Sequence, residues 1–143
     1  MTKYDDASWH LGGDFPKGLS RRQSMVHMGM FLGWAISEGA IGEYLLERHG
    51  KSLEAFRRRE LTGAQIVEQC CDECLTNEDF NVVGNEFAHI YYEPDIYIDD
   101  YESEFGNEVS SLYEVFDNWD NFERIQKQVQ KRFNVWRQTG LIE

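Results

Sequence analysis

The sequence predicts a mainly α-helical fold: a compact single-domain bundle of about five to six helices behind an irregular N-terminal arm. Three observations predict it. Apolar residues recur at helical spacing through most of the chain, helix-capping signatures precede several of those runs, and no two neighbouring segments alternate cleanly as paired strands would. With 143 residues and 41% hydrophobic content, the chain is long enough to bury a core without disulfides or metals.

The arm spans residues 1–20. Gly12, Gly13, Pro16 and Gly18 punctuate it, and Tyr4, Trp9, Leu11 and Phe15 give it apolar anchors that hold it against the domain. Ser20 with Gln23 forms a capping box that opens a helix from about Arg21 to Ser37. Met25, Met28, Phe31, Leu32 and Ala35 make its main stripe, widened by Val26, Met30, Trp34 and Ile36, so this helix is expected at the centre. A shorter helix runs from Ile41 to His49, stopped by Gly50, and Ser52 caps a turn carrying Leu53 and Phe56.

Thr62 with Gln65 opens a helix expected to reach Leu75, and Thr76 with Asp79 opens another to about Tyr91. Glu93-Pro94 ends it. Residues 95–105 alternate isoleucine, tyrosine and acid, so a short strand pair near 95–116 competes with an irregular or one-turn helical segment. Asp117 with Asp120 caps the last helix, which carries Phe122, Ile125, Val129, Phe133 and Trp136 on one face until Gly140.

Charge is distributed unevenly. From Cys70 through Glu123 there is no lysine or arginine, yet that segment holds sixteen of the twenty-six acids, so it is more negative than the whole chain at −12 and the remainder is slightly basic. A surface of this sign suits a cationic partner and is a poor footprint for nucleic acid. No stretch is long and apolar enough to cross a bilayer, and the N-terminus carries no basic and apolar leader pattern, so a cytoplasmic protein away from membranes is expected. Three cysteines crowded at Cys70, Cys71 and Cys74 fit a reducing compartment.

Each cluster with chemical potential has a plainer reading. The cysteines lack the second ligand pair of a structural zinc site, so they read as small buried hydrophobes on one helix. The acids of residues 95–104 lack the glycine and ligand spacing of a calcium loop. Asp5, Asp6, His10 and Asp14 bring carboxylates beside an imidazole, and His10 could act as a general base. No nucleophile elbow, phosphate loop or metalloprotease helix accompanies them. Asp5, Asp6 and Asp14 therefore read first as acceptors that fix the arm. His27 and His89 read as hydrogen-bonded helix residues, and Arg57, Arg58 and Arg59 as partners for acids of this chain or of a second copy. No metal and no cofactor is expected.

The stretch from Tyr91 to Phe105 is less easily read as plain surface. Five aromatic residues alternate there with six carboxylates. Tyrosine offers stiff contact area with a hydroxyl, and adjacent carboxylates make charge-assisted bonds to arginine and lysine.

The string Lys3-Tyr4-Asp5-Asp6-Ala7-Ser8-Trp9-His10-Leu11-Gly12-Gly13-Asp14-Phe15-Pro16 resembles the N-terminal signature of a bacterial family of small cytosolic domains of unknown function. The resemblance continues through His27 to Ala35, Tyr91-Tyr92, Leu112 to Val115 and the last helix around Arg132-Phe133. It carries no catalytic activity with it. It implies a kinship with toxin-associated immunity proteins, the small acidic partners encoded beside delivered bacterial toxins.

The leading expectation is therefore an immunity-type binding protein, not an enzyme, that occludes the basic cleft of a toxin domain. Its contact residues are expected at Tyr92, Asp95, Tyr97, Asp99, Asp100, Glu102 and Glu104, with Trp9 and Asp14 from the arm; a homodimer is compatible with the charge pattern. The alternatives are a small hydrolase using His10 with nearby carboxylates, and an acidic mimic of nucleic acid.

Overall fold

The computed structural model describes residues 1–142, and their fold is mainly helical, with eight α-helices and one small antiparallel sheet. The helices are α1 (Ala7–Leu11), α2 (Val26–Glu38), α3 (Glu43–Arg48), α4 (Gly50–Arg57), α5 (Gly63–Cys70), α6 (Val82–Phe87), α7 (Ile96–Phe105) and α8 (Trp119–Thr139). Among the described residues no helix is long and apolar enough to cross a membrane.

Helix α2 is the axis of the core. Every residue from Val26 to Ile36 is buried, because the helix is apolar all round and needs neighbours on every side. It ends at Gly39, whose φ of 82° makes the left-handed C-cap. Helix α5 crosses α2 where Gly29 meets Gly63: a Cβ on either glycine would overlap the other helix's backbone. Helix α8 closes another side, with Phe133 against Trp34 and the Trp34 Nε1–H donating to Gln130 at 2.9 Å.

The arm is more regular than expected. Lys3–Asp6 forms strand β1, which pairs antiparallel with β2 (Cys74–Thr76), and Asp6 then caps α1 by accepting from the Ser8 amide at 2.8 Å. The strand pair thus lies at the arm and not near 95–116, where the chain is α7. The helix expected to reach Leu75 stops at Cys70, since Asp72 and Glu73 take positive φ and turn the chain into β2. Cys70 and Cys74 therefore do not share a helix face.

Thr62 and Thr76 both make their capping boxes, the second on a short 3-10 turn, Asn77–Asp79. Ser20 makes no capping bond. A 3-10 turn, Arg21–Met25, precedes α2, and the Gln23 side chain donates through Nε2 instead to the Tyr113 and Val115 carbonyls. The cap of α8 is Asn118, one residue after the expected Asp117.

Helix α6 widens into a π-helical turn over Ala88–Tyr92, marked by the Glu93 amide donating to the Ala88 carbonyl at 2.9 Å. The wide turn sends two consecutive tyrosines inward, and such turns recur at functional sites. In α7, Tyr97, Tyr101 and Phe105 follow each other at four-residue intervals and form one buried face.

Candidate functional site

Asp5 is the centre of the site. It sits in β1, buried, just after a register irregularity between Lys3 and Asp5, and its side chain meets His27 of α2. Four donors converge on its carboxylate. His10 Nε2 lies 2.7 Å from Oδ1 and His27 Nε2 lies 3.1 Å from Oδ2. The Asp6 amide donates to Oδ1 at 2.8 Å, and the Tyr92 hydroxyl donates to Oδ2. Burial opposes the negative charge, but the hydrogen bonds and charges of the two imidazoles outweigh it and hold the Asp5 carboxyl well below the usual carboxylate range.

Three further contacts fix the imidazoles. The Tyr113 hydroxyl lies 2.6 Å from His10 Nδ1. The rings of His10 and His27 meet edge to face with centroids 4.5 Å apart. The Tyr97 hydroxyl donates to the His27 carbonyl at 2.6 Å, which ties α7 to α2 beside the cluster. Burial, above all, raises the Tyr92, Tyr97 and Tyr113 hydroxyls above the usual phenol range, so they act here as neutral hydrogen-bonding groups.

The cluster forms the inner wall of a cavity of about 410 Å³. That volume lies within the range of small-molecule sites. Trp9, Tyr97 and Ile98 supply apolar wall, while Lys3, Glu93 and Asp95 add charge. Lys3 is engaged by Asp6 at 2.8 Å, so the acids dominate the cavity's charge.

The expected contact residues scatter. Tyr92, Tyr97 and Asp100 are buried, and this corrects the expectation that residues 91–105 present one tyrosine-and-carboxylate surface. The cause is helical spacing: the tyrosines face the core while Asp99 and Glu102 face solvent. Asp100 belongs to the inner set, where Arg132 holds it by two bonds of 2.9 Å. Glu104 is half-buried and accepts from Arg124. Asp95, Asp99, Glu102, Trp9 and Asp14 are exposed, and of these Trp9 and Asp95 line the cavity.

The sequence brought Asp5 and His10 together correctly but left out His27, Tyr92's inward role and Tyr113. His27 lies on an all-apolar helix, where a histidine signals a buried hydrogen-bond partner without naming it. Arg57, Arg58 and Arg59 pair within the chain, with Glu54, Glu60 and Glu123. Cys70 and Cys71 are buried. Burial first and the nearby Asp6 second push the Cys74 thiol up to about 11, so it is not a thiolate at neutral pH.

A family model described as Domain of unknown function (DUF7832) matches residues 3–115. The chain belongs to this family. The family's span takes in Asp5, His10, His27, Tyr92, Tyr97 and Tyr113, and ends before α8. Neither the curated proteins nor the solved structures contain a match to the chain.

Proposed function

We propose that this protein is a small hydrolase that takes a neutral or cationic substrate into the cavity beside Asp5, His10 and His27. One observation carries the reading: a buried carboxylate, hydrogen-bonded to two imidazoles, forms the inner wall of a ligand-sized cavity. A carboxylate so placed orients both imidazoles. His10 is bonded at both ring nitrogens, so His27, whose Nδ1 has no hydrogen-bond partner among the described residues, takes the proton that water gives up during attack. Asp5 stabilises the imidazolium that forms. Glu93 and Asp95 disfavour phosphorylated or carboxylated substrates, while Trp9, Tyr97 and Ile98 suit an ester or amide with an apolar group.

The test is turnover of a panel of neutral and cationic esters and amides by the wild-type chain and by His10→Gln and His27→Gln variants that retain the wild-type circular dichroism. The expected result is hydrolysis that falls about 10²- to 10⁴-fold in each variant. No turnover across the panel, or turnover indifferent to both substitutions, rejects the proposal.

A second reading, the neutralisation of a basic toxin domain, draws support from the exposed acids Asp95, Asp99 and Glu102, which have no ion-pair partner among the described residues, with exposed Trp9 lining the same cavity as Asp95. It predicts a stoichiometric complex whose association rate falls steeply with salt and with the Asp95→Lys, Asp99→Lys and Glu102→Lys changes made together. Association unaffected by those reversals rejects it.

A further inference from the structure

Asp5 is a buried carboxylate met by four hydrogen-bond donors, with no permanently charged cation among them. It is buried, and burying a carboxylate is costly without a compensating charge. Among the described residues its ion-pair partners are the two imidazoles, neither of which carries a permanent charge. Lys3, the cation lining the same cavity, is taken by Asp6.

The geometry points to a divalent transition-metal ion: we infer that Asp5, His10 and His27 are a three-ligand site for a cation of the zinc or iron(II) class, open to the cavity. This deepens the hydrolase reading of the same pocket and rests on it for its catalytic meaning, though not for the binding itself.

Four features support the assignment. First, one ligand atom from each side chain lies within 4.8 Å of the others. His10 Nε2 lies 2.7 Å from Asp5 Oδ1 and His27 Nε2 lies 3.1 Å from Oδ2, shorter than the roughly 3.4 Å between tetrahedral ligands about 2.1 Å from one ion, so small outward side-chain rotations admit the metal. Second, two imidazole nitrogens and one carboxylate oxygen are a donor set for zinc or iron(II), whereas magnesium and calcium prefer oxygen throughout.

Third, the ligands come from three separate elements, β1, α1 and α2, and two of them are fixed from behind. The Tyr92 hydroxyl and the Asp6 amide hold the carboxylate, and the Tyr113 hydroxyl holds His10 at its other nitrogen. Such outer partners orient metal ligands. Tyr113 is suited to either tautomer. It donates to Nδ1 when Nε2–H points to Asp5, and it accepts from Nδ1–H when Nε2 turns its lone pair to a metal.

Fourth, all three ligands line the cavity, so the remaining coordination positions face space that holds water or substrate. Three protein ligands with an open position are the arrangement of catalytic zinc, which lowers the pKa of a bound water and so supplies the hydrolytic nucleophile.

The test uses the full chain, stripped with a chelator and titrated with Zn²⁺ and Co²⁺. Calorimetry is expected to give one ion per chain. The Co²⁺ form is expected to show visible bands of a low-symmetry nitrogen and oxygen site with no strong thiolate charge-transfer band in the near ultraviolet. His10→Gln and His27→Gln are expected to weaken binding by about 100-fold or more, and Tyr113→Phe, which removes no ligand, by about 10-fold.

Absence of stoichiometric binding in the folded wild-type chain overturns the inference. So does a thiolate band, which would move the metal to Cys70, Cys71 and Cys74. These results need no variant, so failure of a variant to fold leaves the test intact. Hydrolysis by the stripped chain without stoichiometric binding rejects the metal while sparing the pocket reading. Binding of one ion with no turnover across the panel supports the metal site and rejects the hydrolase.

Discussion

Tyr113 and His10 are 103 residues apart in the chain, and the tyrosine hydroxyl lies 2.6 Å from the imidazole Nδ1. The contact joins α1 to the 3-10 turn Leu112–Glu114, which Ser111 and Glu114 fix with a capping box. Phe15 packs on the same tyrosine ring at 5.1 Å, so the turn also anchors the loop after α1. Tyr113→Phe should keep that ring packing and lose the hydrogen bond. The expected cost is about 1 kcal/mol of stability in urea unfolding. Tyr113→Ala should cost about 3 kcal/mol, because the ring contact goes as well. Equal losses in the two variants would show that the ring contact contributes nothing, and no loss in Tyr113→Phe would show the same of the hydroxyl.

The crossing of α2 and α5 depends on two glycines. Gly29 and Gly63 face each other so closely that a methyl group on either would strike backbone, which cannot move aside as a flexible side chain can. Gly63→Ala or Gly29→Ala should therefore destabilise the chain by about 2–3 kcal/mol or more, despite alanine's better helix propensity. Gly50, at the start of α4 with open space around its Cβ position, is the control. Gly50→Ala should change the unfolding midpoint little or raise it.

How far the fold was legible in the sequence depended on how local each determinant was. Helix α2 was legible because its apolar residues and terminal glycine are neighbours, and so were the boxes at Thr62 and Thr76. Strand β1 was not, since four residues become a strand only through a partner about seventy positions away. Residues 91–105 mislead because their tyrosine-and-acid alternation is conspicuous and masks the four-residue spacing of Tyr97, Tyr101 and Phe105 that α7 uses. The site shows the same division. Asp5 and His10 are five residues apart, so their pairing is local, whereas His27, Tyr92 and Tyr113 join them only by tertiary folding.

Asp100 and Arg132 make the second buried polar centre. Arg132 donates to both carboxylate oxygens at 2.9 Å, and the Tyr91 hydroxyl donates to one of them at 2.7 Å. Burial raises the Asp100 pKa, but the bonds from Arg132 and Tyr91 win and leave it below the usual value. Because the folded value is depressed, the stabilisation is present above the ordinary carboxylate range and is lost as pH falls through the lower folded value. Arg132→Met should cost about 2 kcal/mol at neutral pH, the lower end for a buried pair because Arg132 keeps some contact with water. Stability should then depend less on pH in the acid range, as read from urea unfolding between neutrality and pH 3.

Asp79 behaves in the opposite sense. It is buried beside Cys71 and closes the capping box by accepting from the Thr76 amide at 2.8 Å. Burial raises its pKa to about 6; the Thr76 and Cys71 hydrogen bonds offset only part of that rise, and neighbouring Glu78 adds to it. A raised folded value means that Asp79 contributes stability fully below its ordinary value near 4, and that this contribution is lost as pH climbs through about 6. The difference across that window is about 2–3 kcal/mol. Asp79→Asn keeps the acceptor for the Thr76 amide while removing the ionisation, so it should flatten the stability profile between pH 4 and pH 6 and leave the variant more stable than wild type at pH 7. An unchanged slope in that window would mean that Asp79 ionises in the folded chain as it does in the unfolded one.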